Sequence, residues 1–156
     1  MAFRTARLRG HSTLLIATLG LLIVVVLFSL IASGPHFIQV KANPSITIDA
    51  DNLSPGDVRF FWYHDPAGDK IRFLLARDSG GRIKGAFDAC RQCSMYRKGY
   101  DSSHGYLVCG YCGNRYKLDA MESGRGSCVP VKLPFRMTGH TVNIDPVDLE
   151  HERGLF

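Results

Sequence analysis

The sequence predicts a small all-β domain of antiparallel strands built around two cysteine loops and preceded by one N-terminal transmembrane helix. Three observations predict it. Residues 45–146 alternate short apolar runs with turn-forming residues and show no long helical period. All five cysteines, Cys90, Cys93, Cys109, Cys112 and Cys128, fall between Phe87 and Pro134. Residues 13–33 carry no charge.

The N-terminal run comes first. About 20 apolar residues at about 1.5 Å each cross a hydrocarbon core of about 30 Å. Arg4, Arg7 and Arg9 precede the run, and no Lys or Arg follows it until Lys41. That asymmetry places residues 1–12 in the cytoplasm and everything after Ser33 outside. The expected location is the inner (cytoplasmic) membrane, single-pass, with the C-terminal domain periplasmic. A cleaved signal peptide is the competing reading. The run is longer than its usual apolar core, and Pro35 follows the small residues Ala32-Ser33-Gly34, so an uncleaved anchor is favoured.

Of 19 Lys and Arg, three precede the apolar run, and the other 16 stand against 14 Asp and Glu. The outer domain is nearly neutral, with scattered basic residues, which argues against nucleic-acid binding.

Residues 34–44 read as a tether. Ser45–Asp49 alternates Ile46 and Ile48 with polar neighbours, a first strand. After the turn at 54–57, Val58–Tyr63 sets Val58, Phe60 and Trp62 on one face and Arg59, Phe61 and Tyr63 on the other. Ile71–Arg77 and Arg82–Phe87 follow, separated by Asp78-Ser79-Gly80-Gly81. Trp62 and its aromatic neighbours read as core. Gly99–Gly105 is expected as a loop. Tyr106–Val108 and Arg115–Leu118 read as short strands, 122–127 as a loop, and 135–145 as a closing hairpin. Residues 147–156 form a tail with no evident role. The Cys-rich domain is bounded at 45–146.

The chemistry lies in Cys90-Arg-Gln-Cys93 and Cys109-Gly-Tyr-Cys112, with fifteen residues between the pairs. A two-residue gap turns both thiolates of a pair toward one point, so two pairs close a sulfur cage suited to a metal. Gly113 suits the tight knuckle, where φ > 0 is needed and N–H groups point at sulfur. Soft thiolates suit zinc, mononuclear iron and iron–sulfur clusters alike, and spacing alone favours structural zinc. Cys128 is expected beside the centre, packed against it or as a further metal ligand. Thiol–disulfide exchange ranks lower, because no convincing helix follows either pair to depress a thiol pKa. Ser94 and Gly113 stand where haem attachment requires histidine. The histidines are scattered, with only His104 lying between the pairs. No hydrolytic constellation is present, so neither a hydrolase nor a transferase is expected.

Three blocks then carry a resemblance. Phe87-Asp88-Ala89-Cys90-x-x-Cys93, Val108-Cys109-x-x-Cys112-Gly113-x-x-Tyr116 and Gly126-Ser127-Cys128-x-Pro130-x-x-Leu133-Pro134 resemble the FtrD-like membrane iron–sulfur proteins. Val58-Arg59-Phe60-Phe61 and Ile71-Arg72-Phe73 look similar too, so the resemblance spans about residues 45–146. It implies an iron–sulfur cluster, with 2Fe-2S favoured and zinc the alternative. It also implies a membrane-bound electron carrier of bacterial iron uptake, working beside a membrane permease or redox protein. The layout is also similar to Rieske and rubredoxin-like domains. By the Rieske analogy, Cys90 and Cys109 would bind one iron, and Cys93 and Cys112 the other. All-cysteine ligation implies a potential nearer about −400 mV than that of a histidine-ligated centre. The alternatives to an electron carrier are a zinc-stapled assembly subunit and a thiol–disulfide redox protein.

Overall fold

The computed structural model describes residues 16–23, 34–123 and 128–156. The chain divides into two units, 1–34 and 35–156. Residues 16–23 are helical. The remainder of the expected span at 13–33 lies outside the described residues, and no helix among those described is long and apolar enough to cross a membrane.

Unit 35–156 is mostly β. A central five-stranded sheet has the order β1 (Phe37–Val40), β3 (Val58–His64), β4 (Lys70–Arg77), β5 (Ile83–Cys90), β9 (Pro130–Lys132), with β2 (Ile46–Asp49) outside it. The β3-β4-β5 meander is antiparallel, joined through the turns at 65–69 and 78–82. In the second turn buried Asp78 accepts hydrogen bonds from Arg82 N and Nε, both at 2.8 Å. A second sheet pairs β10 (Arg136–Thr138), β11 (Thr141–Ile144) and β2. The third sheet, β6 (Tyr100–Ser103), β7 (Tyr106–Cys109) and β8 (Arg115–Lys117), carries the second cysteine pair.

The central sheet is buried on both faces, and strand alternation sorts its side chains between two cores. Phe61, Tyr63, Ile71, Phe73, Leu75, Phe87 and Ala89 meet Ile46, Ile48, Val142 and Ile144 of the second sheet. Phe60, Leu74, Ala76, Ala86 and Cys90 face Tyr100, Leu107, Cys109, Tyr116, Leu118, Met121 and Cys128. The two-sided division of 58–63 thus holds, but Trp62 is only half-buried, with Lys70 Nζ 4.5 Å above its ring.

Three segments depart from expectation. Within the expected tether, Phe37–Val40 adds to the sheet as β1, parallel to β3, because Phe37 packs on Phe60 at 5.4 Å. Within the expected loop 99–105, Tyr100–Ser103 pairs with β7. Tyr100 is fully buried and anchors a stretch otherwise polar in composition. The tail also folds. Asp145 caps helix α1 (Pro146–His151) by accepting from Val147 N at 3.0 Å, with Pro146 at the first helical turn. Leu149 and Leu155 enter the first core.

Candidate metal centre

The first cysteine pair lies where β5 ends. Alternation along β5 sends Phe87 and Ala89 into one core and Asp88 and Cys90 toward the other. The chain then turns, and Cys93 N donates to Cys90 Sγ at 3.2 Å. A 3-10 turn over Ser94–Tyr96 follows. The second pair leaves β7. Gly113 adopts φ +72 and donates to Cys109 O at 2.9 Å, closing the knuckle that the sequence requires.

Two glycines let the loops meet. Gly110 N donates to Gly99 O at 2.9 Å, and a Cβ on Gly110 would lie 3.0 Å from Lys98 O. Gly99 sits at φ +63 directly over Asp88, where a Cβ would lie 2.3 Å from Oδ2.

Cys128 arrives through a nonlocal pairing. β9 runs antiparallel to β5 with Cys90 opposite Pro130, which brings Cys128 over the first pair. Both Tyr100 and Tyr116 donate their buried hydroxyls to Cys128 O, the former at 3.4 Å. Its sulfur lies 2.9 Å from that of Cys90, 3.4 Å from Cys93, 3.3 Å from Cys112 and 3.7 Å from Cys109. All five cysteines are free thiols, with Cys112 alone exposed. The sulfurs of Cys90, Cys93, Cys109 and Cys128 lie within 4.8 Å of one another.

This donor set fits a thiophilic metal. Metal–sulfur bonds of about 2.3 Å in a tetrahedron give sulfur–sulfur edges of about 3.8 Å. The 3.7 Å spacing of Cys128 and Cys109 matches, and the 2.9–3.4 Å spacings to the other three are shorter, so the loops open slightly around an ion. Burial pushes the Cys93 thiol up to about 12 and the Cys128 thiol upward as well, because a thiolate there loses its hydration. A bound cation offsets that penalty and displaces the protons. Cys112 moves the other way, held down by the Asn114 backbone N–H.

Arg72 and Asp88 support the first loop. Asp88 is buried, accepts from Tyr100 N at 2.6 Å, and meets Arg72 Nε at 3.4 Å. Loss of hydration pushes its carboxyl up to about 7 against the pull of Arg72 and the Tyr100 N–H. Arg72 also donates from Nη2 to Arg97 O at 3.2 Å and lies between the rings of Phe37 and Phe156. Both residues lie in the segments that carry the family resemblance, but nothing in those segments assigns them this supporting role. The available clue is a carboxylate two positions before Cys90, between the apolar Phe87 and Ala89. His104, the one histidine between the pairs, sits at φ +48 in the β6–β7 turn beside Ser103 and outside the thiol group.

The arrangement defines a class: an all-cysteine metal centre carried on loops of a small β domain. Within that class, the chain belongs to the family described as membrane iron-sulfur containing protein FtrD-like, which matches residues 53–156. The family is membrane-associated and iron-related. No curated protein and no solved structure matches the chain.

Proposed function

We propose that this protein is a membrane-anchored, extracytoplasmic iron–sulfur electron carrier that supports bacterial iron transport beside a permease or redox partner. Family membership combined with four sulfurs gathered around that of Cys128 carries the reading. A 2Fe-2S centre is the proposed form, held by Cys90, Cys93, Cys109 and Cys112 in a Rieske-like layout of the loops, with Cys128 against all four. When bound, the centre supplies one-electron chemistry. The chain's own contribution is to hold the thiolates together, exclude water from the buried ones and leave Cys112 at the surface. The N-terminal arginines support an inside N-terminus and an outside domain.

The compact spacing of the four buried sulfurs favours one second reading, a single structural zinc in an assembly subunit. Iron, zinc and acid-labile sulfide quantitation on anaerobically purified full-length protein, with visible and EPR spectra, separates the two. About two irons and two sulfides per chain, with a reducible chromophore, are expected. A colourless protein with one zinc per chain would overturn electron transfer.

A further inference from the structure

Above the thiols the two cysteine loops end in an exposed tip. Tyr96 follows the first pair by three residues, and Tyr111 lies inside the second. Their rings stack at 3.5 Å between centroids and 7° between planes. Both are exposed, and Met95 beside them is 77% exposed, the most of any large apolar side chain described in unit 35–156. The exposed thiol, Cys112, adjoins Tyr111. A stacked tyrosine pair and a methionine at the surface are costly to leave in water and suit an intermittent partner.

The two cysteine-loop segments carry charge of one sign, with Asp101, Asp119 and Glu152 at their edges. Residues 89–100 and 109–118 contain Arg91, Arg97, Lys98, Arg115 and Lys117 and no Asp or Glu. Arg91 pairs with Glu152 at 2.6 Å and Lys117 with Asp119 at 3.0 Å. Arg97 and Lys98 are exposed and form no side-chain ion pair among the described residues. The loop bearing them is held from beneath by the Arg72 bond to Arg97 O and by the Gly99–Gly110 contact. The surface is thus built before a partner arrives.

We propose that Met95, Tyr96 and Tyr111, rimmed by Arg97 and Lys98, dock a redox protein whose own electron-transfer edge is apolar and ringed by acidic side chains. The inference rests on the electron-carrier reading and names the partner's chemistry and the face at which the electron crosses. A reduced centre held by the thiolates would lose one electron, and the acceptor would gain that same electron. Opposite charges around an apolar contact steer encounter and fix orientation. The adjacency of the tip to Cys112 favours a redox protein over a lipid surface.

The test uses the full-length protein in nanodiscs of neutral lipid, reduced anaerobically and mixed with soluble cytochrome b5, an acidic acceptor, or cytochrome c, a basic one. Haem absorbance reports the rate. The expected result is faster reduction of cytochrome b5 at low salt, falling as salt rises. Lys98→Glu and Arg97→Glu each lower that rate about tenfold at low salt and converge with the parent at high salt. Met95→Ser lowers it at every salt concentration. Each variant is compared at unchanged iron content and spectrum, and Lys98→Glu serves if Arg97→Glu does not fold. A normal, reducible centre with rates indifferent to both charge reversals overturns the docking proposal alone. A chain with no reducible centre overturns the electron-carrier reading and the proposal with it. Protection of residues 94–98 from hydrogen exchange in anionic but not neutral nanodiscs would reassign the tip to a lipid surface and overturn the protein partner.

Discussion

Replacing Gly99 by alanine probes the point at which the first cysteine loop closes over Asp88. Two costs add there. The residue sits at φ +63, where an L side chain costs about 1–2 kcal/mol. The new methyl would also fall 2.3 Å from Asp88 Oδ2 and 2.6 Å from Oδ1, so the carboxylate must move. Moving it breaks the buried 2.6 Å bond from Tyr100 N, worth about 1–3 kcal/mol. The expected loss is about 2–5 kcal/mol, a large part of a typical domain stability of about 5–15 kcal/mol. Gly81→Ala is the control, because its φ is +80 and nothing lies within 4 Å of its Cβ position. It should lose only the backbone part, about 1–2 kcal/mol. Urea unfolding in detergent, followed by fluorescence of Trp62, the only tryptophan, measures both. Metal content should fall in Gly99→Ala and stay level in Gly81→Ala. Equal destabilisation by the two substitutions, with equal metal content, would refute the argument that Asp88 and Gly99 lock the loop.

Single Cys→Ser substitutions at Cys90, Cys93, Cys109 and Cys112 should each remove most of the bound metal, whereas Cys128→Ser should keep its stoichiometry, and a loss in Cys128→Ser equal to that in Cys109→Ser would make Cys128 a ligand. Leu149→Ala in α1 should cost about 2–5 kcal/mol in thermal or urea unfolding, since the side chain is fully buried. A neutral effect would mean that the C-terminal segment contributes little to the first core. Asp119 is held down to about 2 by the Ser79 N–H at 2.8 Å and by Lys117. Its contribution to stability is therefore complete above its ordinary value near pH 4 and is lost as pH falls through about 2. Asp119→Asn should flatten that part of the acid limb in a pH series of urea midpoints, with Asp78, also held low, supplying what remains.

The legible parts of the sequence were those with local grammar. Alternation in 58–63 and 71–77, the turn at 78–81 and the hairpin ending at residue 145 depend on neighbours in the chain, and their strands form. The knuckle at Gly113 has the positive φ that its position demands. Segments fixed by distant contacts were not legible. β1 forms because Phe37 finds Phe60, and β6 because Tyr100 is drawn into a core that Cys109 and Tyr116 share. Cys128 lies beside the centre as expected, but the β5–β9 pairing that puts it there joins residues 40 or more apart in sequence, which no short window contains. The roles of Arg72, Asp88 and Gly99 were illegible for the same reason, because they act by meeting one another.

The two-faced burial of β4 has a consequence for the metal-free chain. Phe73 and Leu75 are sealed into one core and Leu74 and Ala76 into the other, all with no exposed surface. Only the second core contains the thiols. Stripping the metal removes the cross-link from that half and leaves the packing of Ile46, Phe73, Val142 and Leu149 intact. Unfolding of the apo chain should then lose cooperativity, with amides of β6 to β8 exchanging early and those of β2, β4 and β11 late. The half that persists is a template against which the cysteine loops can close again when metal returns.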